Sequence, residues 1–101
     1  MRFLKVVLEI NDKNIERIKV ISNALSNESR IKSLLLIGED RKMSLDSFHK
    51  EAEMEGIYSN IETSYRNLEI MVTSGLLKKT YDSTIKKLVY GINEEVIEVN
   101  K

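Results

Sequence analysis

The sequence predicts an α+β fold, mainly helical: a three-helix core followed by a β-hairpin, with an extra strand at the N-terminus. Three observations carry that expectation. Apolar residues recur at helical spacing in four successive stretches between Ile15 and Val72, each with a capping residue ahead of it. Two stretches with a period of two, 76–81 and 85–92, then flank a short polar turn. The chain has 101 residues and no repeat, low-complexity tract or Gly/Ser/Pro linker, which suits one domain over 1–101 around one core.

Taken in order, residues 3–10 place Leu4, Val6, Leu8 and Ile10 on one side and Lys5 and Glu9 on the other, the alternation of a strand within an N-terminal segment 1–11. The helical core is expected over 12–75. Asn11 or Asp12 caps a first helix whose inner positions are Ile15, Ile18, Ile21, Ala24 and Leu25. Asn27 caps a second, with Ile31, Leu34 and Leu35 inward and Gly38 as its stop, followed by a polar loop over 38–42. Ser44 caps a third, with Leu45, Phe48 and Ala52 inward, ending near Gly56. Ser59 or Asn60 caps a fourth, with Ile61, Tyr65, Leu68 and Val72 inward, Met71 in support and Gly75 as its end. The hairpin, 76–92, turns at Asp82, Ser83 and Thr84. The tail 93–101 is ambiguous: Asn93, Glu94 and Glu95 read as a helix start, whereas Val96, Ile97 and Val99 favour a strand.

Charge excludes some functions. Sixteen basic and sixteen acidic residues cancel, which argues against an indiscriminate nucleic-acid coat. The distribution is uneven. Residues 13–38 carry five bases against two acids, and 76–92 carry four lysines against Asp82, each a net +3. Between them, 39–69 carries four bases against eight acids, a net −4. No cysteine is present, so disulfides, thiolate metal sites and a cysteine nucleophile are excluded. The longest apolar run, Leu34 to Ile37, is too short to span a bilayer, and no secretory signal is visible, so a cytoplasmic, membrane-free protein is expected. The absence of glutamine, tryptophan and proline beside abundant isoleucine, lysine and glutamate leans toward a thermophile, against the pull of eight asparagines.

The order helix, helix, helix, strand, turn, strand is that of a winged helix-turn-helix. The segment Leu25-Ser26-Asn27-Glu28-Ser29-Arg30-Ile31 resembles the opening of the first core helix in ArsR-type repressors. Tyr65-Arg66-Asn67-Leu68, Met71, Ser74-Gly75-Leu76-Leu77 and Tyr90 resemble the signature shared by ArsR-, PadR- and MarR-type regulators, and the tyrosine three residues before Leu68 is closer to PadR. Together these motifs cover about two-thirds of the chain. In that signature Gly75 allows the chain to leave the last helix in a conformation closed to residues with a Cβ, and one of Leu76 and Leu77 is pinned to the core. Nineteen residues separate Phe48 from Leu68, so the turn between the two motif helices is extended. The resemblance implies a sequence-specific transcriptional regulator, and the expected source is prokaryotic, archaeal or an archaeal virus. Its partner would be double-stranded DNA, bound as a homodimer through the N-terminal strand, first helix and C-terminal tail. Metal sensing in the ArsR manner needs Cys or His pairs and does not carry over to a chain whose one histidine is His49.

The implied docking puts helix 59–74 in the major groove and the wing, 78–87, on the phosphate backbone. Asn60, Glu62, Thr63, Arg66 and Asn67 are expected to face outward, with Arg66 suited to guanine and Asn67 to adenine. The plainer reading is a solvated helix face, and Glu62 and Glu69 are unfavourable near phosphates. Lys78, Lys79, Lys86 and Lys87 flank the wing tip and can grip phosphates, although alternation sends each adjacent pair to opposite faces. Protection of an exposed strand edge explains the same lysines. Arg30 adds a backbone contact or pairs with Glu28. His49, alone beside Phe48, reads as a partly buried polar residue rather than a ligand. Tyr81, near the tip, is the tyrosine best placed to touch nucleic acid. No nucleophile set, phosphate-cradling glycine loop or paired-carboxylate cleft is present, so neither catalysis nor a cofactor is expected. The alternative from another class is a winged-helix protein-interaction module, motivated by the acidic middle and zero net charge.

Overall fold

The computed structural model describes residues 3–38 and 41–100. The elements are β1 (Phe3–Val6), a 3-10 turn (Asp12–Asn14), α1 (Ile15–Leu25), α2 (Glu28–Ile37), α3 (Leu45–Met54), α4 (Ile61–Ser74), β2 (Leu77–Asp82), β3 (Lys87–Ile92) and β4 (Ile97–Asn100). The α+β class, the four helices and the hairpin after the last of them are all present. Within the polar loop expected over 38–42, residues 39 and 40 lie outside the described residues.

The 3-10 turn before α1 and the helices α2, α3 and α4 each begin where a short polar side chain satisfies an otherwise unpaired amide. Asn11 accepts from Lys13 N and Asn14 N, Asn27 from Arg30 N, Ser44 from Ser47 N and Asn60 from Thr63 N. Each such cap is worth about 1 kcal/mol. The Asn11 cap serves the 3-10 turn that leads into α1, so α1 proper starts later than its cap suggests.

Both ends of the chain meet in one sheet. β1 and β4 pair antiparallel from Phe3↔Asn100 to Val6↔Ile97, and Val7 N extends the ladder to Val96 O at 2.9 Å. Of the two readings of the tail the strand is the one observed: the Asn93 carbonyl accepts from Val96 N and Ile97 N in a single turn that leads straight into β4, without a helix. β2 and β3 pair antiparallel from Leu77↔Ile92 to Asp82↔Lys87, and Met43 bridges Tyr90 on the outer edge of β3.

The core forms where α1, α2, α3 and α4 converge on the base of the hairpin. Ile21, Ala24, Leu34, Ile37, Phe48, Ala52, Leu68, Met71 and Tyr90 are buried together, with Val96 and Ile97 closing one end. Several positions expected inside lie outside. Ile10 is 88% exposed, Leu35 is 61% exposed, and Ile15, Ile31, Ile61 and Tyr65 are also exposed. Serines explain two of the shifts. Ser33 is fully buried in α2, donating to Ser29 O at 2.7 Å and sharing a hydrogen bond with the Tyr58 hydroxyl at 3.0 Å. Ser64 is fully buried in α4, 2.7 Å from His49 Nδ1. A small polar side chain can occupy an inward position when its hydroxyl finds a partner there, and the apolar residues on the other side of the helix then remain outside. The inward faces are therefore Ser33, Leu34 and Ile37 in α2, and Ser64, Leu68 and Met71 in α4.

The two classes of apolar position separate experimentally. Leu68→Ala is expected to lower unfolding free energy by about 2–5 kcal/mol, because a fully buried leucine leaves a cavity. Leu35→Ala is expected to change it by about 0.5 kcal/mol or less. Urea denaturation of both variants checks the assignment of the α2 and α4 faces.

Candidate nucleic-acid interface

The exit from α4 orients everything that follows. Gly75 adopts φ +90°, a left-handed conformation that residues with a Cβ rarely take. Leu76 N then returns to Met71 O at 2.9 Å and Gly75 N to Val72 O at 3.0 Å, closing the helix. Asn93 fastens the same corner, donating from its side-chain amide to Gly75 O at 2.8 Å and from its backbone to Leu76 O at 3.0 Å. Both Leu76 and Leu77 are buried, where one was expected. Along the chain Asn93 reads only as a possible helix start, and its spacing from Gly75 carries no local signal of this contact.

From that corner the hairpin lies against α4 and is tied to it by a charged contact. Glu69 of α4 accepts from Lys79 Nζ of β2 at 2.9 Å and from the Tyr90 hydroxyl of β3 at 2.6 Å. Lys79 Nζ also lies 5.7 Å from the Tyr65 ring centre and 5.6 Å from that of Tyr90. Partial burial works against the Glu69 charge, but the Tyr90 hydroxyl and the Lys79 ammonium outweigh it and hold the carboxyl below its ordinary range. Tyr90 is pushed in the opposite direction, above the usual phenol range, by burial and then by the Glu69 carboxylate.

Arg30 makes a second tie. Its Nε donates to Ala24 O at 2.8 Å, Nη2 to Asn23 O at 3.3 Å and Nη1 to Asn67 Oδ1 at 3.0 Å. One guanidinium thus fastens the last turn of α1 and the middle of α4 to α2. Asn67, expected to face outward, is instead half-buried, with its amide donating to Thr63 O at 2.9 Å. The physical reason is that Arg30 offers several donors in a fixed plane, and Asn67 sits where that plane reaches α4. Neither Arg30 nor Asn67 was legible as half of this pair, because 37 residues separate them.

The other expected site residues fall on two surfaces. Glu62 and Arg66 are exposed on the outer face of α4. Asn60, at its start, uses its side-chain oxygen to accept from both the amide and the hydroxyl of Thr63 at 2.9 Å, and Thr63, expected outward, is half-buried. Lys78 and Lys79 do point to opposite faces of β2, and Lys78 Nζ lies 3.6 Å from Glu95. Lys87 Nζ lies 3.4 Å from Asp46 on α3. Lys86 is not in a strand. Asp82 accepts from Thr84 N at 2.9 Å and Ile85 N at 3.4 Å, so the turn takes four residues, and Lys86 re-enters the strand with φ +55°. Ile85, expected in the second strand, belongs to this turn and is exposed with Tyr81 and Leu88. His49 is a partly buried polar residue joining α3 to α4, as its isolation suggested.

Ile61, Glu62, Tyr65, Arg66, Ile70 and Thr73 run along exposed α4, beside an open groove completed by Val20 and Asn23 of α1. The hairpin extends past one side and ends in Tyr81, Ile85, Lys86 and Leu88. Among the described residues no helix is long and apolar enough to cross a membrane.

No protein-family model and no curated protein matches the sequence. Solved structures do match the fold. One is the homodimeric winged helix-turn-helix DNA-binding domain of a possible ArsR-family transcriptional regulator from Mycobacterium bovis. It is 21% identical, with a TM-score of 0.65 over 88% of this chain and 78% of that one. Reduced HlyU from Vibrio cholerae is 18% identical, with a TM-score of 0.60 over 81% of this chain and 78% of its own. The Vibrio cholerae ferric uptake regulator is 19% identical, with a TM-score of 0.59 over 80% of this chain; the match spans 61% of that protein.

The Glu69 contact has a pH signature. A carboxyl held below its ordinary value of 4.5 contributes stability that is fully present above that value and lost as pH falls through the depressed one. Glu69→Gln is therefore expected to be less stable than the parent at pH 7 and to lose less on acidification below about pH 4.5. Thermal unfolding followed from pH 7 downward checks it; parallel profiles for the two proteins would remove the contact from the energetics.

Proposed function

The chain has the winged helix-turn-helix fold, and from that premise we propose that it is a sequence-specific DNA-binding transcriptional regulator. In this reading α4 enters the major groove and the β2–β3 hairpin, as the wing, lies on the backbone. The observation that carries it is the joining of the two elements: Glu69, Lys79 and Tyr90 tie the hairpin to α4, so both reach a duplex as one rigid surface. The same contact neutralises one of the two acids on α4 that weigh against DNA.

Roles then divide by geometry. Arg66 is free to pair with guanine O6 and N7, and Glu62 to accept from a cytosine amino group. The Asn60 amide, with Thr63 behind it, meets the backbone at the start of the helix. Lys86 at the tip and Lys78 on the outer face contact phosphates, and Lys87 joins them by exchanging Asp46 for a phosphate. Lys79, Arg30 and Asn67 act by holding the wing, α1 and α4 in place rather than by touching DNA.

A homodimer fits the same scheme. β1 is paired within the chain, yet Phe3, Val7, Ile10 and Ile15 remain exposed on the N-terminal elements and offer a second copy an apolar surface. A second reading, a protein-interaction module, is favoured by one feature, the apolar lining that Val20, Tyr65 and Ile70 give the α1–α4 groove. Salt separates the two, because affinity for a duplex falls steeply with salt in proportion to the phosphates neutralised.

Two outcomes are expected. Arg66→Ala weakens binding to a selected duplex by about 1–3 kcal/mol, and Lys86→Ala flattens the log–log salt dependence by about 1, both read by fluorescence anisotropy. A duplex affinity untouched by either change would overturn the docking. The protein is also expected to sediment as a dimer at high micromolar concentration and Ile10→Asp as a monomer; a monomeric parent protein would exclude the dimer.

A further inference from the structure

We propose that α4 recognises thymine methyl groups, so that the preferred duplex carries thymines flanking a guanine in each half-site. This rests on the DNA-binding reading and adds the chemistry of the bases. Large apolar side chains border the outside of α4, with Ile61 and Tyr65 along one edge and Ile70, half a turn round from Ile61, along the other; Val20 of α1 lines the same groove as Tyr65 and Ile70. One exposed apolar residue on a surface needs no explanation. Apolar side chains on both edges of the exposed face, with Glu62 and Arg66 between them, call for a complementary ligand.

In the major groove the apolar feature on a base edge is the C5 methyl of thymine; the other edges present donors and acceptors. Covering those polar edges with isoleucine or tyrosine leaves them without partners, which costs free energy, whereas a methyl is gained from water. Arg66, between the two apolar edges, supplies the guanidinium that suits guanine. Glu62, beside it, turns phosphates away, because no ion pair neutralises it among the described residues. Tyr65 is prepared for the contact: Lys79, itself held by Glu69, lies 5.7 Å from its ring centre. A ring already confined on one side loses little rotational freedom when a base meets the other.

The test uses the full chain and finds the binding site as its first step. Duplexes are selected from a random pool by the purified protein. Each thymine of the selected site is then replaced singly by deoxyuridine, which removes the methyl and keeps every hydrogen-bonding group. A rise in Kd of roughly three- to fivefold is expected at one or more thymines adjacent to a guanine. That sensitivity should disappear in Tyr65→Ser or Ile70→Ser, whose folding is checked by circular dichroism and whose response to a Lys86→Ala change remains that of the parent. If the selected duplex binds equally well with deoxyuridine at every position, thymine recognition is wrong while DNA binding stands. If no duplex is enriched and none binds in a salt-dependent way, the DNA-binding reading fails and the inference with it; the apolar edges then belong to a protein partner.

Discussion

A hairpin that follows a helix is useful only if its direction is fixed, and here that direction depends on how Gly75 is surrounded. Its left-handed backbone turns the chain, but a turn alone leaves a pivot. The pivot is removed because Leu76 and Leu77 are both buried and because Asn93 binds the carbonyls of Gly75 and Leu76 from the far end of the hairpin. Glu69, Lys79 and Tyr90 then fix the strands a second time, further along α4. Two points of attachment define an orientation where one defines only a position.

The charges follow a similar logic. A chain of zero net charge is a poor candidate for nucleic-acid binding if its charges are treated as a uniform total. In the folded molecule several of the acids face bases of the same chain: Glu69 with Lys79, Asp46 with Lys87 and Glu95 with Lys78. The half-buried pair is worth more than the two exposed ones, which are screened and exchange readily with water or a phosphate. Positive charge therefore need not be abundant to be available; it needs to be held weakly where a polyanion approaches.

Helix faces were only partly readable. Leu34, Phe48, Ala52, Leu68 and Met71 took the inward positions that helical spacing assigns them. Ile31, Leu35, Ile61 and Tyr65 share that spacing and lie outside, because a stripe of apolar residues wider than the available contact must leave one edge exposed. Ser33 and Ser64 take inward positions instead, where Ser33 meets the Tyr58 hydroxyl and Ser64 meets His49. Hydropathy ranks a serine below an isoleucine at either position; a hydrogen-bond partner available only in the folded chain reverses the order.

Local spacing was enough to order the four helices and the hairpin, to cap α2 and α3 at Asn27 and Ser44 and to end α4 at Gly75. All of these depend on interactions within a few residues. The same spacing left Asn11 or Asp12, Ser59 or Asn60 and the form of the tail open, and it started the second hairpin strand two residues early. Long-range packing was needed to pair β1 with the tail, to set Arg30 against Asn67, and to give Lys79 to Glu69. These contacts join groups 10 to about 100 residues apart, and their partners are selected by the geometry of packed helices rather than by any pattern along the chain. Arg66 and Lys86 kept the outward positions read from the sequence, since an exposed charge at a helix face or turn tip requires nothing from the rest of the fold.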